Sequence, residues 1–421
     1  MFFKECKKAV FSITFLLYVF VVFAMYISQF DSDTSVPEPA PSASSGDYGY
    51  TDKLIPETLM PNAIDGLVGE YLSGEFTTYP TGFYKRVVLT EKKKAALAAI
   101  ITELTGLTAE ELDGFEDDYV PEGFSYVPGE NGDVVLSYHE KVIPEITVPE
   151  SLTYERFREL MNEADKIIGG GSYYGEKGIS RYYSRVPKTY EDALADYNHI
   201  VYDEKVTGAY ARLFCDYAGI DLAVMPVFVA AALVSLDRKS RMSDLIYSRK
   251  ISSLRLVFTR FAALVTVMLI PAAVTVVMAN ISVPSRYPEF TVDLFAIPKL
   301  AAAWLIPNVL LAAAVGMFVT EISSPILAVF VQGAWWMKSV MSADNLTGEI
   351  SPFTLVCRHN SLYKYAAFEN TLPQFIFNRT FFTILSLVLV GLTAFVYELK
   401  RRGIWNGLFS SGENSFRKSS V

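Results

Sequence analysis

A 421-residue chain that is 51% apolar, with a mean hydropathy of +0.26, is more hydrophobic than an ordinary soluble domain. Its formal net charge of −9 is unevenly spread: residues 31–216 carry 34 Asp/Glu and 16 Lys/Arg, a net −18, which leaves +9 for the remainder. An acidic region of that size argues against nucleic acid as a partner. The apolar excess, gathered in blocks of about 20 residues, predicts an all-α polytopic membrane protein.

Residues 1–8 (MFFKECKK) form a short N-terminus. Residues 9–30 are uncharged throughout and predict the first membrane span. The apolar core is longer than that of a signal peptide, and no small-x-small site closes it. Residues 31–52, rich in Ser, Pro and Asp, read as a flexible tether. Residues 53–216 predict a large extracytoplasmic domain between spans 1 and 2, helix-rich with a minor β component. There, Thr90 opens a helix with Leu97, Ile100, Ile101 and Leu104 on one face. Residues 133–146 read as one or two short strands. Thr153 and Thr189 are N-caps followed by acid in the first turn, and Gly169-Gly170-Gly171 stops the first of those two helices.

Five more spans follow, at 217–236, 256–281, 300–320, 325–341 and 380–399. A segment at 237–255 separates spans 2 and 3, a loop at 342–379 precedes span 6, and a tail at 400–421 ends the chain. Between Asp237 and Arg260 the sequence holds seven Lys/Arg against two Asp/Glu. Lys/Arg in short flanks face the cytoplasm. Lys4, Lys7 and Lys8, this basic segment, and Lys400, Arg401 and Arg402 all agree on cytoplasmic N- and C-termini in a plasma membrane. Within the segment, Met242, Leu245 and Ile246 alternate with Ser240, Asp244 and Ser248 as a short amphipathic helix would.

Catalytic signatures are sparse. His139, His199 and His359 lack ligand spacing. The run GGGSYYGEKG at 169–178 lacks the Gly-Lys-Ser/Thr order of a phosphate loop, because Glu176 splits Gly175 from Lys177. The acidic run at 110–118 lacks calcium-loop spacing. Cys6 falls on the cytoplasmic side. Cys215 and Cys357 fall on the outer side, where both a disulfide and unpaired burial stay open. Polar groups inside spans are functional candidates by default. Asp221, Asn308 and Gln332 are therefore candidate pathway residues, whereas Lys338 is placed to snorkel. The chain is expected to be neither an enzyme nor a binder of metal or cofactor.

One span, a large outer domain, five more spans and a basic segment after the second is a layout that resembles the permease subunit of type-2 ABC exporters. The stretch from Ala209 to Leu264 is similar to that family's second span, coupling segment and third span. Asp244, Ser248-Arg249-Lys250, Ser252-Ser253 and Arg260 occupy the places of its polar pattern and helix entry. The ending FNRTFFTILSLVLVGLTAFVYELKRRG resembles the last span with its basic stop, and IIGGGSYYG resembles Firmicute-type permeases with an enlarged first outer loop.

The resemblance implies a separate soluble ABC ATPase that uses ATP and docks on the coupling segment. It also implies a second permease copy or a paralogue. Met242, Leu245 and Ile246 would be the apolar knob, and Asp244, Arg249 and Lys250 would orient it beside Ser248, Ser252 and Ser253. Glu321 would be a second cytoplasmic contact. The same basic helix could instead lie on anionic lipid of the bilayer. A non-transporting sensory or immunity protein on the same scaffold, a polytopic membrane enzyme and a secondary transporter are the competing readings.

Overall fold

The computed structural model describes residues 1–30, 36–41, 48–80, 83–115, 123–128, 134–139, 146–239, 247, 250–341, 350–358, 362–363 and 365–405. The chain divides into two units: Met1–Glu38 with Ala195–Val421, and Pro39–Leu194.

The apolar N-terminal region is two helices rather than one. α1, Phe2–Val10, ends at Phe11, and α2, Ile13–Met25, starts at Ser12, whose Oγ accepts the Phe15 N–H at 3.2 Å. A hydroxyl that caps an orphan amide is a strong local start signal. α2 continues as a wider turn over Tyr26–Phe30. α1 carries Glu5 in its first turn and Lys7 and Lys8 in its last, which suits the helix dipole. Its Phe3 and the adjoining Phe11 are both about four-fifths exposed, 82% and 79%. A short amphipathic helix therefore precedes the first long apolar run.

The acidic unit has its own core. Its elements are β1 Tyr50–Asp52, α3 Pro56–Ser73, β2 Phe76–Thr78, β3 Lys85–Val87, α4 Glu91–Thr105, α5 Ala109–Gly114, β4 Gly123–Pro128, β5 Val134–His139, α6 Tyr154–Ile168, α7 Glu176–Tyr182 and β6 Arg185–Pro187. Leu67 of α3, Ile101 of α4, Phe157 of α6 and Tyr174 are wholly buried together. Thr153 caps α6 by accepting the Arg156 N–H, as its sequence predicts. The three strand pairs are all antiparallel. β4, which periodicity did not reveal, pairs with β5. β1 lies at the end of the expected tether and pairs with β6; Arg185 stacks over Tyr50, and Lys53 grips Asp192 at 2.7 Å. The three glycines of the run all have positive φ, and the last of them is also crowded. Gly171 has φ +73, and a Cβ there would meet the Tyr79 carbonyl carbon at 2.9 Å.

The other unit is a helical bundle. α8, Tyr190–Asn198, starts in the acidic unit, which ends at Leu194, and the chain then enters α9, Thr207–Leu222. Residues 223–225 break the helix before α10, Pro226–Lys239. α11 is Ser253–Arg286, α12 Ala296–Ile322, α13 Pro325–Met341 and α14 Tyr365–Arg401. Among the described residues, five helical stretches are long and apolar enough to cross a membrane: Ile13–Phe30, Thr207–Leu236, Ser253–Arg286, Ala296–Ile322 and Tyr365–Arg401. α13 has 17 residues, about 26 Å of helix, a little under the hydrocarbon thickness. α14 begins well ahead of the expected Thr380. α12 is the hub, buried along Ala312, Ala313 and Ala314. Its Gly316 lies so close to α10 that a Cβ would meet the Ala230 Cβ at 2.8 Å. Small residues let helix backbones approach closely where lipid offers no hydrophobic drive.

Candidate coupling end and buried polar core

Four helix termini meet at one end of the bundle. Glu5 of α1 lies 3.7 Å from Arg260 near the start of α11, and the Cys6 thiol reaches the Ala263 carbonyl. Ser253, the first residue of α11, donates its hydroxyl to Glu398 of α14 at 2.5 Å. Lys400 of α14 pairs with Glu321 at the end of α12 at 2.9 Å and also donates to its carbonyl. Arg401 donates to the carbonyls of Tyr247 at 2.9 Å and Ile251 at 2.6 Å, while the Tyr247 ring meets Tyr397 edge-on. The C-terminal part of the basic segment is thus tied to the last turn of α14.

This geometry sorts the sequence candidates. Ser252 is the N-cap of α11, accepting the Arg255 N–H at 3.3 Å, and Ser253 is buried against Glu398. Lys250 is exposed. Glu321 is buried and its carboxylate is held by Lys400, so it faces the bundle instead of presenting a free surface contact. Met242, Asp244, Leu245, Ile246, Ser248 and Arg249 lie outside the described residues.

The three polar candidates of the spans converge on the break between α9 and α10. A helix end leaves carbonyls without intrahelical donors, and in lipid no water supplies them. Neighbouring helices do so here. Asn308 of α12 reaches the Gly219 carbonyl at 3.5 Å. From α13, Trp336 Nε1 donates to Ile220 and Gln332 Nε2 to Ala223, each at 2.7 Å. Pro226, at the first position of α10, has no N–H to leave unsatisfied. Asn308 and Gln332 thus satisfy a broken helix. Asp221, at the same break, instead lines a cavity of about 10 Å³ with Val22, Tyr26, Phe214, Tyr217 and Thr275. Its Oδ1 is buried and has no hydrogen-bond partner.

A residue that sequence reasoning passed over completes the core. Arg379 of α14 is 4% exposed. Its guanidinium donates to Asn308 Oδ1, to Cys357 Sγ at 2.8 Å and to the Trp304 carbonyl at 3.4 Å, and lies between the rings of Phe375 and Phe382. The preceding Asn378 donates to the carbonyls of Ser351, Pro352 and Thr354, and Ser339 of α13 accepts the amides of Leu355 and Val356. The signal was an Asn-Arg pair inside the otherwise apolar run from Phe375 to Val396, at the edge of the expected sixth span. Cys215 and Cys357 are buried free thiols. His199 stacks on Tyr365 and contacts Asp203. Among the described residues no group of His, Cys, Asp and Glu could hold a metal. In the acidic unit, Asp165 accepts from both the backbone N–H and the hydroxyl of Ser172, at 2.7 Å each, so the glycine run closes on its own carboxylate. No family model, curated protein or solved structure matches the chain.

Proposed function

We propose that this chain is the membrane-spanning permease subunit of an ABC-type exporter, driven by a separate cytoplasmic ATPase that docks on the segment between α10 and α11. The observation that carries this reading is the tie between that segment and α14. Arg401 clasps the carbonyls of Tyr247 and Ile251, and Ser253 clasps Glu398. A push on the segment would be delivered to the end of a 37-residue helix. Basic clusters of the N-terminus, the segment and the C-terminus all belong to this end, which fits a cytoplasmic face.

Six crossings follow if α13 counts as one. α12 ends beside Lys400. α13 starts three residues later, and its Trp335 donates to Phe353, in the loop that Asn378 holds. Asn378 is roughly 35 Å along α14 from Arg401. These contacts support counting α13 as a crossing despite its length. A sensory or immunity protein on the same scaffold is the second reading, favoured by the size and independent core of the acidic unit.

The test is recovery of a soluble Walker-type ATPase encoded beside this chain, co-expressed and purified through a tag on the permease. Wild type is expected to retain it, and Leu245→Asp to lose at least about ten-fold in recovery, since a charge in an apolar contact costs over 1.4 kcal/mol. Equal recovery with Leu245→Asp would defeat the docking assignment. Stable recovery without export of any tested envelope compound would favour the sensory reading.

A further inference from the structure

The break between α9 and α10 holds one group that the packing leaves unanswered. Asp221 sits inside the long apolar stretch Thr207–Leu236 and is buried. Its Oδ1 lacks a donor, and among the described residues no Lys or Arg pairs with it. The groups around it are committed elsewhere or carry no charge. From α2, Tyr18 faces it but donates its hydroxyl to the Met268 carbonyl at 2.7 Å. Tyr26 shares a hydrogen bond with Ser282. Tyr217 lies on the same helix as Asp221. From α11, Thr275 donates to the Ala272 carbonyl at 2.8 Å, leaving its oxygen free only to accept. α12 and α13 bring the amides Asn308 and Gln332 to the break, both donating to carbonyls, and the cation of α14, Arg379, is held by Asn308, Trp304 and Cys357.

A carboxylate with no cation and with one oxygen lacking any donor is expensive in a hydrocarbon environment, and the neutral acid is far less so. The cavity against it is about 10 Å³, the room one water needs, and Asp221 and Thr275 supply two polar partners for that water. We propose that Asp221 is a membrane-embedded proton-binding site, whose carboxylic acid exchanges its proton through a single water held in this cavity. The balance is simple: the acid O–H breaks, its electron pair stays on the carboxylate, and the proton passes to the water as hydronium. The site sits where the helix is already broken, so a change of charge there acts at a turn held by side chains of neighbouring helices. This inference does not depend on the exporter reading.

The experiment is infrared difference spectroscopy of the full-length protein reconstituted in lipid, exchanged between H₂O and D₂O at neutral pH. The expected result is a protonated-carboxyl C=O band that shifts in D₂O and is lost in Asp221→Asn. Should that variant fail to fold, Asp221→Glu is expected to move the band, and Thr275→Val to slow its exchange several-fold by removing one partner of the water. A folded Asp221→Asn protein with an unaltered spectrum, or an unmoved band in Asp221→Glu, would overturn the assignment.

Discussion

The two units place their polar groups in opposite ways. In the acidic unit the core is apolar and the ion pairs are outside: Arg156 and Glu103, 2.7 Å apart, have side chains 42% and 48% exposed. In the helical bundle large apolar side chains such as Phe20, Ile270 and Phe330 face outward, while Arg379, Asn308, Gln332 and Asn378 are buried among the inward-facing apolar ones. Water explains the first arrangement, since exposed pairs are screened and contribute little. Lipid explains the second, since a polar group has no partner there except another part of the protein. The same chemistry is therefore decorative in one unit and structural in the other.

That contrast is broken most severely at Arg379. Arg379→Leu removes the donor to Asn308, Cys357 and Trp304, and should cost about 1.5–3 kcal/mol, the range for hydrogen bonds made by a charged group. Thermal unfolding in detergent is expected to show a large drop in midpoint or a collapsed, polydisperse protein. An unchanged midpoint would mean that the network is dispensable.

Gln332→Leu sharpens the comparison at a neutral group. It leaves the Ala223 carbonyl without its donor, for about 1 kcal/mol, near the range measured for hydrogen bonds between membrane helices. The same unfolding assay should show a small but resolvable loss. A loss as large as that of Arg379→Leu would indicate that the break itself had collapsed.

The smallest effect belongs to the acidic unit. Arg156→Ala should lower the neutral-pH midpoint only slightly, and added salt should erase the difference. The hydrogen bond from Arg156 holds the Glu103 carboxyl below its usual range, and Lys53 does the same for Asp192. Contributions of depressed carboxyls are present above the ordinary values, about 4.3 for Glu and 3.9 for Asp, and vanish as pH falls through the lowered ones. The gap between wild type and variant should therefore close in acid. A gap that widened there would contradict the pairing.

Much of this contrast is legible in the sequence. Hydropathy gives the apolar stretches, and Asn308, Gln332 and Asp221 stand out as polar residues inside them. Their shared destination does not stand out, because an orphaned carbonyl at Gly219 or Ala223 exists only once the helix breaks. Arg379 escaped notice for a related reason: α14 extends beyond its most apolar window, so its buried cation looked like a flanking charge. α1 was hidden because its apolar positions run into those of α2, and only the Ser12 cap divides them. In the acidic unit, β1 arose from residues that look like linker, since pairing with β6 depends on a partner 135 positions away.

The proposed function requires the end joining α1, the basic segment, α12 and α14 to face the cytoplasm of a membrane-embedded bundle. Single cysteines introduced at Ser240 and, separately, at the exposed Ser151 of the acidic unit, with the native cysteines replaced, can be probed by a membrane-impermeant maleimide on intact cells. Labelling is expected at Ser151 and none at Ser240 until the membrane is opened. Labelling of Ser240 on intact cells would contradict it.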